Sequence, residues 1–215
     1  MALVVSLYIG DIRPLPPEYQ PTGMFKTQCR EPLWLGREGL AGDQQADRRV
    51  HGGPERAVHL YPAGHYGRLA AAFPATSPLS PGTLGENLSV AGLDETMVRV
   101  GDIFQLGQAR LQVSQPRSPC WKIDRRLDTQ GVAAFIAATG ITGWYFRVLE
   151  EGQVAPGDIL ELLERSAAPI SLAMLWQLYL THRPDPAALD AAARTPGLSP
   201  DWARKFSERA QWLLE

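Results

Sequence analysis

The densest chemical signal in the chain is Ser114-Gln-Pro-Arg-Ser-Pro-Cys120-Trp-Lys-Ile-Asp-Arg-Arg126, one thiol set among Arg117, Lys122, Arg125 and Arg126. Positive neighbours favour the thiolate, the form that both nucleophilic catalysis and soft-metal ligation require. Pro116 and Pro119 stiffen the segment and remove backbone donors, so the spacing predicts an ordered loop after a strand. A buried small hydrophobe beside solvated arginines has the same local sequence, and the segment alone leaves both readings open.

Two further stretches carry groups suited to a site. In Val50-His51-Gly-Gly-Pro-Glu-Arg56-Ala-Val58, paired glycines let backbone amides approach a ligand, and Arg56 follows where it can hold an anionic group. His51 is able to donate a hydrogen bond, ligate a metal or transfer a proton. In Gly85-Glu86-Asn87-Leu88, Asn87 offers donors and an acceptor suited to a heterocycle or an oxo group. Each stretch also reads as a turn leading into a strand. Cys29, beside Arg30 and close to Pro32, reads as structural; His59 in a strand and His65 at a helix start read as packing or surface residues.

Several chemistries lack their signatures. His51, His59, His65 and Cys120 do not have zinc-site spacing. A cysteine hydrolase finds a possible base in His51, but no hydrolase signature surrounds Cys120. Neither a Walker A nor a GxGxxG sequence occurs, which leaves ATP and dinucleotide binding without support. The 215 residues carry 21 Lys and Arg against 23 Asp and Glu, a formal charge of -2, so no global basic field exists to hold nucleic acid. The longest apolar runs, such as 172–180, are far short of a membrane span. The first residues, MALVVSLYIGDIRP, lack a basic start and a small-residue cleavage site, and two cysteines with one in a basic setting suggest reduced thiols. A cytoplasmic protein is the expectation.

The elements that must position these groups are mostly short strands. At 45% apolar and 20% charged the composition is that of a globular domain. Gly and Pro punctuate β-prone runs at 4–9, 24–28, 57–61, 87–90, 103–106, 109–114, 144–149 and 159–163, a pattern that reads as a sandwich or barrel. Val98-Arg-Val-Gly-Asp-Ile-Phe-Gln-Leu and Val154-Ala-Pro-Gly-Asp-Ile-Leu-Glu-Leu repeat a Gly-Asp turn opening a strand, a local device. Helical faces appear at 62–73 and 128–139. After Arg165 the character changes: Ser171, Asp185-Pro186 and Ser199-Pro200 each open a helix, giving three short helices that must dock on the β domain or a second subunit. The expected division is a β domain over 1–165 and a helical segment over 166–215.

Taken in chain order, VHGGPERAV, LGENL, VRVGDIF and LQVSQPRSPCWK resemble the MOSC domain family, named for the molybdenum cofactor sulfurase C-terminal domain. The likeness is to small stand-alone bacterial members with a C-terminal three-helix appendage, and it extends over nearly the whole chain. It implies a mainly β (α+β) fold, a barrel-like domain with flanking helices. It also implies molybdenum cofactor (molybdopterin) chemistry independent of pyridoxal phosphate, with Cys120 binding the metal. Arg56, Arg117 and Lys122 are then candidates for a phosphate clamp, with Arg125 and Arg126 behind them. His51, Glu86, Asn87 and Ser114 lie in the matching motifs as further cofactor contacts, His51 with a possible role in proton delivery.

Relatives of this type reduce N-hydroxylated compounds: hydroxylaminopurines, amidoximes and hydroxamic acids. The resemblance therefore implies a detoxifying oxidoreductase that takes its electrons from a separate flavoprotein-type reductase, since no flavin, haem or iron–sulfur motif is present. A carrier that binds the cofactor without turning over substrate needs the same residues, and a metal-free cysteine transferase is a third reading. Trp121, where the family often has a smaller aromatic, is expected to narrow the pocket. Trp202 and Trp212 look exposed in sequence and are expected either to pack on the barrel or to dock the reductase. A homodimer is compatible with the chain.

Overall fold

The computed structural model describes residues 5–48, 50–76 and 79–215. Val4 of the expected first strand, and Ser77 and Pro78 of the stretch between the first helical face and Gly82, lie outside the described residues. The strands are β1 (Ser6–Ile9), β2 (Arg13–Leu15), β3 (Gln20–Thr22), β4 (Thr27–Gln28), β5 (Leu33–Gly36), β6 (Gly39–Leu40), β7 (Val58–Pro62), β8 (Leu88–Val90), β9 (Ile103–Leu106), β10 (Ala109–Pro116), β11 (Trp144–Glu150), β12 (Gly152–Val154) and β13 (Leu160–Glu164). The helices are α1 (His65–Ala72), α2 (Lys122–Leu127), α3 (Val132–Thr139), α4 (Leu172–Leu180), α5 (Pro186–Ala193) and α6 (Pro200–Leu214).

Eight strands form one curled sheet in the order β13-β9-β10-β11-β7-β8-β1-β4, antiparallel except for β7 against β8. The sheet bends round until its ends meet: Val5 donates its N–H to the Asp158 carbonyl (3.0 Å) and accepts from Gly157 N–H (2.9 Å), joining the start of β1 to the turn before β13. The mainly β, barrel-like architecture is thus the one the family resemblance implies, and one of the two the strand punctuation left open. Smaller sheets, β12-β5-β6 and β2-β3, were not legible in the pattern because their strands are only two to four residues long. The run at 24–28 keeps just Thr27 and Gln28 in a strand.

Alternation puts Leu111 and Val113 of β10 into the core with Phe104, Leu106, Trp144 and Phe146 from neighbouring strands. At Ser114 the register slips, for Val113 faces Phe146 while Gln115 faces Tyr145. One extra residue in a strand changes which face the following residues present, and such bulges re-aim side chains at strand ends. The Ser114 hydroxyl fills the space this opens, donating to the Glu55 carbonyl (2.6 Å) and lying 3.1 Å from the Tyr145 carbonyl.

Helix α2 corrects the sequence expectation of a loop through Arg126: the loop ends at Trp121, and Arg125 and Arg126 are helical. The C-terminal helices start where their caps predict. Ser171 Oγ accepts from Met174 N–H (3.2 Å), Asp185 Oδ1 from Ala187 N–H (3.0 Å) and Ser199 Oγ from Trp202 N–H (3.4 Å). Trp202 is only 1% exposed, packed against Trp176, Tyr179 and Phe206 in the same apolar core as the sheet. This is the packing on the barrel expected for it as one of two readings, whereas Trp212 is 65% exposed. Among the described residues no helix is long and apolar enough to cross a membrane.

Candidate functional site

Beyond the bulge the chain leaves β10 at Pro116, passes Arg117 and reaches Cys120 just before α2, whose Ile123 N–H donates to the Cys120 carbonyl (3.0 Å). Arg117 N–H is tied to the Gly143 carbonyl (3.1 Å), which pins the loop to the residue before β11. His51 stands in the turn ahead of β7, its N–H on the Asp47 carbonyl (2.8 Å). His59 of β7 and Tyr145 of β11 are cross-strand neighbours with ring centroids 5.2 Å apart. These pieces enclose a cleft in which Cys120, His51, His59, Arg117, Lys122 and Tyr145 meet.

The glycines around the cleft serve packing. A Cβ on Gly52 would run into the Gln45 side chain, and Gly53, at φ +80°, gives its N–H to Gln45 Oε1 (3.0 Å). The Gly53 amide is therefore used within the protein, which corrects the expectation that it faces a ligand. Gly85, at φ +81°, would place a Cβ 3.1 Å from Met24, another lining residue.

Electrostatically the cleft is cationic with neutral imidazoles. Arg117 is 4% exposed; Nη2 donates to the Leu84 carbonyl (3.4 Å), and buried Nη1 has no partner among the described residues. Burial, then the charges of Arg117, Lys122 and Arg56, lower the His51 pKa to about 4. Burial and Arg117 likewise hold His59 well below the usual histidine range. Burial raises the Tyr145 hydroxyl, with Arg117 working against it. Lys122 Nζ reaches the Pro21 carbonyl (2.8 Å) at the cleft wall.

Of the residues singled out in sequence, Cys120, His51, Arg117 and Lys122 converge here; the others are placed elsewhere. Arg56 Nη2 lies 2.8 Å from Asp201 Oδ2 of α6, and its charge is felt at His51 in the cleft. Ser114 is spent on two carbonyls. Asn87 is equally committed: Oδ1 accepts from His59 N–H (3.1 Å) and Nδ2 donates to Asp43 (2.8 Å) and the Tyr8 carbonyl (3.3 Å). Glu86 is fully buried, accepting from Tyr66 Oη (2.5 Å) and Gly82 N–H (2.6 Å), and burial raises its pKa. Arg125 pairs with Glu18 (2.8 Å), and Arg126 stacks on Phe25 at 4.6 Å. Trp121 is 45% exposed and does not line the cleft, so it does not narrow it.

His59 and Tyr145 are the lining residues that sequence reasoning missed. A histidine inside an otherwise apolar strand was the available signal, since a buried imidazole requires a reason. His65 is buried as a packing residue would be, with its Nε2 hydrogen-bonded to Glu95 Oε2 at 2.7 Å.

Residues 47–161 match the MOSC domain family and residues 170–210 match the YiiM-like, 3-alpha helix domain. Protein YiiM of Escherichia coli (strain K12) is 39% identical over 214 residues, 97% of this chain and 93% of that protein. The crystal structure of YiiM from Geobacillus stearothermophilus superposes with a TM-score of 0.83 at 31% identity, covering 98% of this chain and 100% of that one. A protein of Gibberella moniliformis (strain M3125 / FGSC 7600) named "Reductase" is 38% identical over 146 residues, 67% of this chain but 26% of its own length. With its cleft, its curled sheet and its three closing helices, the chain belongs to the MOSC domain family, in the form that carries a YiiM-like helical segment.

Proposed function

We propose that the Cys120 cleft binds a molybdenum cofactor and that the loaded protein reduces N-hydroxylated compounds to the amine or imine. The MOSC family is associated with molybdenum cofactor binding. The observation that carries the reading is one thiol lining the same cleft as a buried guanidinium whose Nη1 has no partner among the described residues. The donor set fits the group. No cluster of three or more metal-ligating side chains occurs among the described residues, so a bare ion would find few ligands. A metal already held by a pterin dithiolene needs just one further soft donor, which Cys120 supplies.

When bound, the cofactor supplies the two-electron chemistry of N–O cleavage, its electrons coming from a separate flavoprotein-type reductase. Arg117 and Lys122 face anionic groups with charge and donors. His51, neutral above about pH 4, presents one N–H and one lone pair and so orients a substrate N–OH rather than acting as an imidazolium acid. His59 and Tyr145 wall the cleft on the sheet side.

The test is molybdenum and oxidised-pterin content of protein from a cofactor-competent host, beside Cys120→Ala. Near-stoichiometric metal in the wild type and its loss in the variant are the expected result; neither metal nor pterin in the wild type refutes the reading. Turnover of benzamidoxime or 6-hydroxylaminopurine with an artificial electron donor then separates a reductase from a carrier. A carrier would retain cofactor, show no turnover and pass the cofactor to an apo-acceptor.

A further inference from the structure

Reduction of R–NHOH to R–NH2 and water consumes two protons along with two electrons. On the reductase reading, the cleft needs a supply of protons. A second pocket shares no lining residue with the cleft and carries His65, Arg68, Asp94, Glu95 and Thr96 on its walls. A row of rings connects the two: Tyr145 to His59 (5.2 Å between centroids), His59 to Tyr61 (6.4 Å) and Tyr61 to His65 (5.5 Å). The row ends at Glu95 Oε2, 2.7 Å from His65 Nε2. Tyr145 and His59 line the cleft, His65 and Glu95 line the second pocket, and fully buried Tyr61 lies between them.

Two buried atoms in the middle of this row, Tyr61 Oη and His59 Nε2, have no partner among the described residues. Buried polar atoms of this kind are normally satisfied by ordered water. Gly143 packs beside them: at φ +65°, a Cβ there would run into the Leu60 carbonyl and fall 3.0 Å from the Tyr61 ring and 3.1 Å from His59 Nε2. The same glycine gives its N–H to Glu95 Oε1 (2.7 Å), and its carbonyl accepts from Arg117 N–H (3.1 Å), so one residue touches both ends of the row. Burial keeps Tyr61 protonated and His59 neutral, forms that both donate and accept.

We propose that His65, Tyr61 and His59, bridged by buried water, form a proton intake from the second pocket to the cleft. A proton taken up at the His65–Glu95 pair moves along the row as each member accepts one and releases one, and leaves at His59 for the substrate nitrogen or the departing hydroxyl. The row carries no electrons; those arrive from the flavoprotein-type donor. Tyr61 and His65 act through His59 and do not touch substrate.

The proposal rests on the reductase reading, and the test keeps the two apart. Tyr61→Phe deletes one partnerless hydroxyl, and His65→Gln keeps a donor for Glu95 while removing the relay. Both loaded variants are assayed with benzamidoxime, and the wild type is crystallised for a high-resolution map. The expected result is a kcat reduced about tenfold with KM held within about twofold, an increased solvent isotope effect, unfolding of Tyr61→Phe at no lower urea concentration than the wild type, and ordered water bonded to Tyr61 Oη. Wild-type kcat in both variants overturns the intake, as does a map with no water on Tyr61 Oη. A wild type that holds cofactor but reduces no N-hydroxylated compound overturns the reductase reading instead, and the map alone then decides whether the row is hydrated.

Discussion

Replacing Arg117 by Gln removes one buried positive charge from beside His51 and leaves the imidazole as buried as before. His51 titrates at about 4 rather than 6.5, with burial the first cause and Arg117 the second, ahead of Lys122 and Arg56. That displacement amounts to roughly 3 kcal/mol of differential interaction at about 1.4 kcal/mol per pH unit. Burial survives the substitution, so Arg117→Gln returns only the share owed to its charge, and the midpoint rises without reaching the ordinary histidine value. Lys122→Gln should give a smaller rise. Because the folded pKa lies below the unfolded one, the unfolded chain takes up a proton first as the pH falls. Stability is therefore lost between about pH 6.5 and pH 4, and Arg117→Gln loses less of it. The His51 ring signals followed by NMR across this window give the midpoints, and urea unfolding at its two ends gives the linkage. Identical His51 midpoints in the wild type and both variants would refute the electrostatic account of the cleft.

Three other perturbations separate framework from site. Ser114→Ala should cost about 1–3 kcal/mol in urea unfolding, because the Glu55 and Tyr145 carbonyls lose their shared hydroxyl, while molybdenum content stays at the wild-type level. Asn87→Ala strips partners from the His59 N–H, the Tyr8 carbonyl and Asp43 at once and should cost at least about 2 kcal/mol by the same measure. Trp202→Ala opens a cavity where four aromatic rings meet and should cost about 3–5 kcal/mol; an unchanged midpoint would contradict the shared core.

The long strands and all three C-terminal helices were legible because their signals are local: alternation in β10, and cap residues at Ser171, Asp185 and Ser199. Helix α2 was not, since its six residues hold just one buried side chain, Ile123, and show no periodicity. Cys120, Arg117 and Lys122 were found together because they are neighbours in sequence. The Arg56 bond to Asp201, 145 residues away, was not legible because it depends on how α6 docks, which no local pattern displays. Asn87 and Ser114 are polar residues in striking motifs for a structural reason, each satisfying backbone groups from two other segments. His59 and Tyr145 become site residues only through strand pairing, which no linear pattern displays.

The family matches divide the chain into two stretches, but the bulge in β10 does not respect that division. The Ser114 carbonyl accepts from Ser199 N–H (3.0 Å) at the start of α6, and Arg147 of β11 joins Gln112 (2.7 Å), Glu55 and the Gly197 carbonyl (2.8 Å). The helical segment is therefore a buttress behind the strand that delivers Arg117 and Cys120. For protein engineering this limits modularity. A chimera that exchanges the helices of two such proteins must also transplant the bulge, Glu55 and Arg147, or the thiol will sit on a loosened hinge.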